Sequence, residues 1–162
     1  MIGTVVRYLH DSGVPFRLLS FPTPERLPEL ARTLPPGAFI VEAHFVMLRE
    51  EVALVCAPHK AVIEPGSLCT VFGERKSIEC GVGFLHDEDG ERMGPIPPLG
   101  GLFGVPLLVD ERVAAHSRLV FRVFAPEDYV EMAYRDLAWL ERPRVVTFAQ
   151  RDSGTNSAWG AS

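Results

Sequence analysis

The sequence predicts one α/β domain of the α+β kind, with helices packed outside a curved, mixed and mainly antiparallel sheet or partial barrel. The chain has 162 residues, which is the usual size of one domain. Apolar runs of strand length outnumber helical patterns, and two of them lie close enough to form a hairpin. The 14 Gly and 14 Pro require many turns and argue against a helical bundle.

The first elements follow from periodicity and stop signals. Residues 4–10 place four apolar side chains within two turns, which predicts a short amphipathic helix that ends near Gly13. Residues 14–21 alternate loosely between apolar and polar side chains and predict a strand. Residues 23–34 open with Thr-Pro-Glu, which is typical of a helix N-terminus, and residues 35–37 (PPG) end that helix.

The middle of the chain predicts a hairpin followed by less regular structure. Residues 39–48 and 52–57 are apolar runs separated by a short charged turn, the pattern of a buried antiparallel hairpin. Residues 65–72 fit a short helix. Residues 86–92 (HDEDGER) carry metal-ligand side chains, but their spacing does not match a calcium-binding loop. We therefore predict a solvated acidic loop there and no metal site.

Residues 93–106 form the most unusual segment. They contain four Pro and four Gly, a composition that we expect to exclude a helix or a central strand. Their apolar side chains predict a packed segment and not a flexible linker. Beyond them the pattern predicts strands at residues 107–109, 119–124 and 130–132, and a closing helix at residues 135–140.

Composition restricts the partners and the location. The formal net charge of −5 disfavours an extended nucleic-acid groove, which needs concentrated Lys and Arg, but it allows contact with the end of a nucleic acid. No apolar run approaches the ~20 residues of a membrane span, and the start lacks a signal-peptide pattern, so we expect a cytoplasmic protein. The three Cys without a CxxC motif predict reduced structural thiols. Residues 1–150 predict the domain and residues 151–162 a flexible tail.

The Gly/Pro segment carries a family resemblance. Residues 94–100 read GPIPPLG, and after residues 104–106 (GVP) a predicted strand runs into Asp110 and Glu111. A loop of the form G-x-[IV]-[SP]-P-x-G followed by a strand that ends in Asp resembles the YbaK/ProX family of aminoacyl-tRNA editing domains. The order of the predicted elements is also similar. The version with two prolines is similar to a branch of the family that is sometimes joined to a signalling domain.

The resemblance implies an enzyme that hydrolyses the ester between a wrong amino acid and the 3′ adenosine of tRNA, with no metal and no cofactor. Backbone N–H groups of the Gly-rich loop would hold the carbonyl and the developing oxyanion, which assigns Gly94 and Gly100 to catalysis. Ile96, Pro98 and Asp110 take substrate-binding positions. The implied partners are the aminoacyl-tRNA 3′ end and an aminoacyl-tRNA synthetase.

Departures from the family pattern leave two functions open. The family Lys on the first hairpin strand aligns with His44, whose imidazole can carry part of that charge or act as a base. Pro95 stands where the family often has Gly, so one N–H donor is lost. Residues 123–126 (VFAP) replace a late Gly-rich turn. The sequence predicts either a deacylase with weakened or altered activity, or a binding and regulatory module that kept the fold without the chemistry.

Plainer interpretations also stay open. The loop fits a structural turn, His44 fits a strand histidine bonded to a backbone group, and Asp110 fits a strand-end cap. The enzyme hypothesis predicts that Gly100→Val removes activity and leaves the fold largely intact. It predicts one cleft lined by Gly94, Pro98, Gly100, Ala43 and His44. It also predicts that the loop is held rigid by the inward side chains of Ile96, Leu99, Leu102 and Phe103.

Overall fold

The computed structural model describes residues 2–20, 32, 34, 36–48, 50–63, 68, 82–84, 88–90, 96–123, 125–147 and 149–150. The elements with described bounds are, in chain order, α1 (Ile2–Ser12), β1 (Arg17–Ser20), β2 (Ala38–Leu48), β3 (Glu51–Pro58), β4 (Val62–Ile63), β5 (Val82–Phe84), α2 (Gly100–Phe103), β6 (Leu107–Asp110), α3 (Glu111–Ala114), β7 (Arg118–Val123), β8 (Ala125–Ala133), α4 (Tyr134–Glu141), β9 (Arg144–Val146) and β10 (Ala149–Gln150).

The main sheet is mixed and has the strand order β1-β8-β7-β2-β3-β6-β9, with β5 also paired to β2. Its centre is the long hairpin of β2 and β3, whose antiparallel register runs from Val41–Pro58 to Leu48–Glu51. Parallel pairs join β2 to β7, β3 to β6 and β6 to β9. The predicted fold class, a mixed sheet with helices packed on it, is confirmed.

Alternation along the hairpin divides its side chains between two faces of the sheet. Ala43 and Cys56 are register partners on one face, which we call face A, and His44 and Val55 are partners on the other, face B. Face A packs against α1, α4 and the loop before α2 in the main hydrophobic core. Face B carries a smaller core that includes Val46, Val55 and Ala57. A functional side chain on β2 must therefore belong to one face or the other.

A buried carboxylate with two arginine partners links the strands at the β1 edge of the sheet. Glu131 on β8 is 1% exposed and accepts hydrogen bonds from Arg17 Nε at 2.9 Å and Nη2 at 3.0 Å. Arg118 on β7 adds a third donor at 3.2 Å. The carboxylate thus links three adjacent strands, and its charge is matched where it is removed from water.

Most element predictions are confirmed, with shifts of a few residues at their ends. The Gly/Pro segment is the exception, because α2 is a one-turn helix within a stretch that was predicted to contain none. No proline falls between Leu99 and Val105, so one turn can form there. The predicted helices at residues 23–34 and 65–72 and the tail at residues 151–162 lie outside the described residues, apart from single positions. Among the described helices, none has the length and apolar character that a membrane crossing requires.

Candidate functional site

A carboxylate between two histidines forms a polar cluster on face B. Glu42 and His44 are two residues apart on β2, so both side chains point to that face. His59, just after β3, lies with its Nδ1 3.2 Å from Glu42 Oε2, and His44 Nε2 lies 3.8 Å from Glu42 Oε1. The backbone N–H of Lys60 donates to Glu42 Oε1 at 3.2 Å. One carboxylate therefore lies between the two imidazole rings, with a hydrogen bond to His59 and a longer contact to His44.

The environment keeps Glu42 ionised. Burial on its own would raise the pKa of this carboxyl, but hydrogen bonds and charge from His44 and His59 outweigh it and hold the pKa far below its ordinary value. The turn that supplies the Lys60 N–H is itself unusual, because Lys60 has a left-handed φ of 64°. Non-glycine residues in this conformation are often found at functional sites.

The Gly/Pro loop reaches the same strand from its other edge. The Ile96 N–H donates to the Ala43 carbonyl at 2.9 Å, in an isolated antiparallel bridge. In such a bridge the next loop residue, Pro97, lies opposite Glu42. Pro97 and Pro98 are both buried. The loop therefore forms a rigid wall beside the strand that carries Glu42 and His44.

Four N–H groups of residues 96–102 are used within the protein. The N–H groups of Ile96, Leu99 and Leu102 donate to the carbonyls of Ala43, Pro97 and Leu99, respectively, at 2.7 to 3.0 Å. The Gly101 N–H donates to Glu141 Oε2 at 2.7 Å. Pro97 and Pro98 have no N–H to offer. These donors stabilise the loop and are not directed at a ligand. Gly94, the other glycine expected to face the substrate, lies outside the described residues.

Gly100 and His44 lie on opposite sides of the sheet. The loop side chains after the bridge turn to face A, where Ile96 and Leu99 join the main core and Leu102 and Phe103 pack against it. A Cβ added at Gly100 would come 2.5 Å from the Val105 carbonyl oxygen. The expectation that Gly100→Val leaves the fold intact is therefore wrong, because the close approach at Gly100 is made by the protein's own backbone.

A second contact fixes the loop to the helices on face A. Glu141, the last residue of α4, accepts the Tyr8 hydroxyl on Oε1 at 2.6 Å and the Gly101 N–H on Oε2 at 2.7 Å. A Cβ at Gly101 would collide with the Tyr8 hydroxyl. α1, α2 and α4 are thus joined through one carboxylate, which fixes the position of the Gly/Pro loop.

Asp110 ends β6 and caps α3. Its side chain is fully buried and accepts the Arg112 backbone N–H at 2.9 Å and Arg112 Nε at 3.3 Å. The role of strand-end cap, one of the two interpretations of Asp110, is thus present in the structure. Asp110 pairs with Val146, which packs on face B, so its side chain belongs to the same face as Glu42. Ala57 separates the two acidic residues, which places them about 10 Å apart across β3.

Cys56 lies on β3, with its side chain on face A, and its thiol is unreactive. Its thiol is fully buried, and burial raises the pKa well above the ordinary value, with the charges of Glu42 and Asp110 acting in the same direction. A thiol held in the protonated form is a poor nucleophile. The prediction of a reduced structural cysteine agrees with this environment. Within the described part of the chain, no three His, Cys, Asp or Glu side chains form a group that could hold a metal ion.

The expectation that Gly100 shares one cleft with His44 is therefore wrong, because the two residues lie on opposite sides of the sheet. Ile96 and Pro98 lie in the loop beside the strand of His44, but the Ile96 side chain is directed into the core of face A. Glu42 and His59 are not among the site residues predicted from the sequence. Glu42 could have been found by strand alternation, because it shares a face with His44. His59 becomes a neighbour only through the hairpin register.

The chain matches no protein-family model. No curated protein matches it in sequence. It is similar in structure to a candidate trans-editing enzyme for prolyl-tRNA synthetase, with a TM-score of 0.72, 15% identity, and coverage of 92% of this chain and 96% of that one. The chain is also similar in structure to a hypothetical protein, with a TM-score of 0.64 and 16% identity. That match covers 91% of this chain and 99% of the other one. A third similar structure is a candidate signal transduction protein from Marinobacter aquaeolei VT8, with a TM-score of 0.68 and 13% identity. The match covers 96% of this chain and 33% of that chain. At these identities the likeness establishes a shared fold.

Proposed function

We propose that this chain is a YbaK/ProX-like editing domain that hydrolyses the ester of a mischarged aminoacyl-tRNA. The observation that carries the proposal is the cluster of Glu42, His44 and His59, set beside the Gly/Pro loop in a domain with the fold of a candidate trans-editing enzyme. His44 stands where the resemblance expects a Lys. In this chain the chemistry then depends on an oriented imidazole and not on an ammonium group.

The proposed reaction needs one base and one ester. His44 takes a proton from a water molecule while the water oxygen forms a bond to the ester carbonyl carbon. The tetrahedral intermediate collapses, the bond between that carbon and the ribose oxygen breaks, and the imidazolium returns its proton to the leaving 3′ or 2′ oxygen. The products are a free amino acid and the tRNA hydroxyl. Ionised Glu42 stabilises the imidazolium that forms between the two steps.

The remaining roles follow from position. His59 contacts the Glu42 carboxylate through Nδ1 and holds it beside His44. Gly94 is the proposed backbone N–H donor to the oxyanion, and Pro98 forms part of the wall of the site. Asp110 orients Arg112 on the other side of β3 from Glu42. Gly100 acts indirectly in this scheme, because its small size allows the loop to pack on Val105.

The substrate contact is confined to the 3′ end of the tRNA. The net charge of −5 gives little attraction to the phosphates of the tRNA body. A trans-acting domain of this kind works in the cytoplasm and gains its substrate from an aminoacyl-tRNA synthetase. The test is a panel of mischarged tRNAs, with deacylation measured for the wild type and for His44→Ala. Wild-type rates no higher than buffer for every tRNA would reject the proposal.

A binding and regulatory module is the second candidate. It is favoured by the internal use of four loop N–H groups, which reduces the number of donors available to an oxyanion, and by the absence of the family Lys. Such a module would recognise aminoacyl-tRNA, an amino acid or a synthetase without turnover. The His44→Lys variant distinguishes the two. Gain of deacylation in the variant over an inactive wild type identifies a module that has lost its chemistry.

A further inference from the structure

A pocket of about 410 Å³ lies at the beginning of β3 and β6, where α4 passes into β9. Its volume is in the range of roughly 300–1,000 Å³ in which proteins hold small molecules. Its apolar lining residues include Val52, Leu107 and Leu108. Ala53 also lines it, whereas Glu42 faces Ala57, about 13 Å farther along β3. The pocket is therefore distinct from the histidine cluster.

Arg142 at the rim has an unusual backbone. It ends α4 with a left-handed φ of 48°, and its N–H donates to the Ala138 carbonyl at 2.9 Å. Glycine is the residue that fits this helix-ending position without strain. An exposed arginine that occupies it and lines a pocket indicates that the side chain is used there.

The other charged groups at the rim complete the pattern. Arg144 follows two residues later and adds a second guanidinium, while the exposed Glu51 supplies a carboxylate. Glu141 also lines the pocket, but both of its oxygens already accept hydrogen bonds from Tyr8 and Gly101. The lining thus combines two cations and one exposed carboxylate, that of Glu51, with apolar residues.

We infer that this pocket binds a free α-amino acid with an apolar side chain. Arg142 pairs with the carboxylate through its planar fork of donors, and Glu51 accepts from the ammonium group. The side chain of the ligand contacts the apolar lining residues. The inference does not depend on ester hydrolysis, because none of the residues that line the pocket belongs to the cluster of Glu42, His44 and His59.

The test is calorimetric titration of the whole chain with L-leucine, together with two analogues that each lack one charged group. Leucine should bind saturably, and both 3-methylbutylamine and 4-methylpentanoate should bind more weakly. Arg142→Gly keeps a residue that suits the left-handed position, and Glu51→Gln changes an exposed side chain, so both should fold. Each should weaken leucine binding roughly tenfold or more.

Two controls separate this site from others. Arg135→Gln removes an exposed arginine from α4 outside the pocket and should leave the affinity unchanged. His44→Ala should also leave it unchanged, even if it abolishes deacylation. The inference is overturned if leucine, valine, proline and phenylalanine all fail to bind saturably, or if the analogues bind as tightly as leucine. It is equally overturned if affinity survives both rim substitutions or is lost in His44→Ala.

Discussion

The backbone N–H of Ile96 donates to the carbonyl of Ala43 at 2.9 Å, and this bridge connects the Gly/Pro loop to the strand that carries Glu42 and His44. The Ile96 side chain then enters the core of face A and is 6% exposed. The hydrogen bond fixes the position of the loop along β2, and the side chain provides the burial that keeps it there. The loop is thus a packed part of the domain.

The first prediction concerns this anchor. Ile96→Ala should lower the free energy of unfolding by about 2–5 kcal/mol, because it removes buried methyl groups and leaves a cavity. Leu18→Ala, on a side chain that is 49% exposed, should change it by about 0.5 kcal/mol or less. Urea unfolding measures both. Equal effects for the two variants would show that the loop is not packed as described.

The second prediction concerns Gly100. Gly100→Ala should destabilise the fold by about 1–3 kcal/mol, because its Cβ would be forced against the Val105 carbonyl. Gly3→Ala in α1 is the matched control, since nothing lies within 4 Å of its added Cβ. That change should be neutral or stabilising by up to about 1 kcal/mol, as expected for Ala in a helix. A Gly100→Ala protein as stable as Gly3→Ala would contradict the packing at this turn.

The third prediction concerns the acid side of the stability profile. The pKa of Glu42 is lowered in the folded state, so its stabilisation is present above its ordinary value of 4.5 and is lost as the pH falls below it. Glu42→Gln should reduce stability at pH 7 by about 1.5–3 kcal/mol, through weaker bonds to His44 and His59. The difference in the free energy of unfolding between Glu42→Gln and the wild type should narrow below pH 4.5. A constant gap from pH 7 to pH 3 would exclude this linkage.

These features differ in how well the sequence alone predicts them. The β2–β3 hairpin and the packed Gly/Pro segment follow from local alternation and turn residues. The partners of Glu42 do not, because His59 is 17 residues away and meets the carboxylate only when the hairpin closes in one register. The parallel pairing of β9 with β6 also escapes prediction, since a three-residue strand after Pro143 has too little periodicity to detect.

The fourth prediction concerns alkaline pH. Partial burial of Tyr8, together with the hydrogen bond and charge of Glu141, raises the pKa of its hydroxyl above the ordinary 10.0. A raised pKa gives stability that is present below pH 10.0 and is lost as the pH rises through the folded-state value. Melting temperatures from pH 8 to pH 12 should fall more steeply for wild type than for Tyr8→Phe. Parallel curves would place the Tyr8 hydroxyl away from Glu141.

The most direct measurement of the central claim is the deacylation of mischarged tRNAs by the wild type, His44→Ala and His44→Lys. The account predicts hydrolysis of at least one aminoacyl-tRNA by the wild type above the buffer rate. It predicts a loss of roughly 100-fold or more in His44→Ala, the scale of a general base. His44→Ala must fold as wild type does by circular dichroism. Wild-type protein that releases no amino acid from any tRNA, or an unchanged rate in His44→Ala, would contradict the assignment of this cluster to ester hydrolysis.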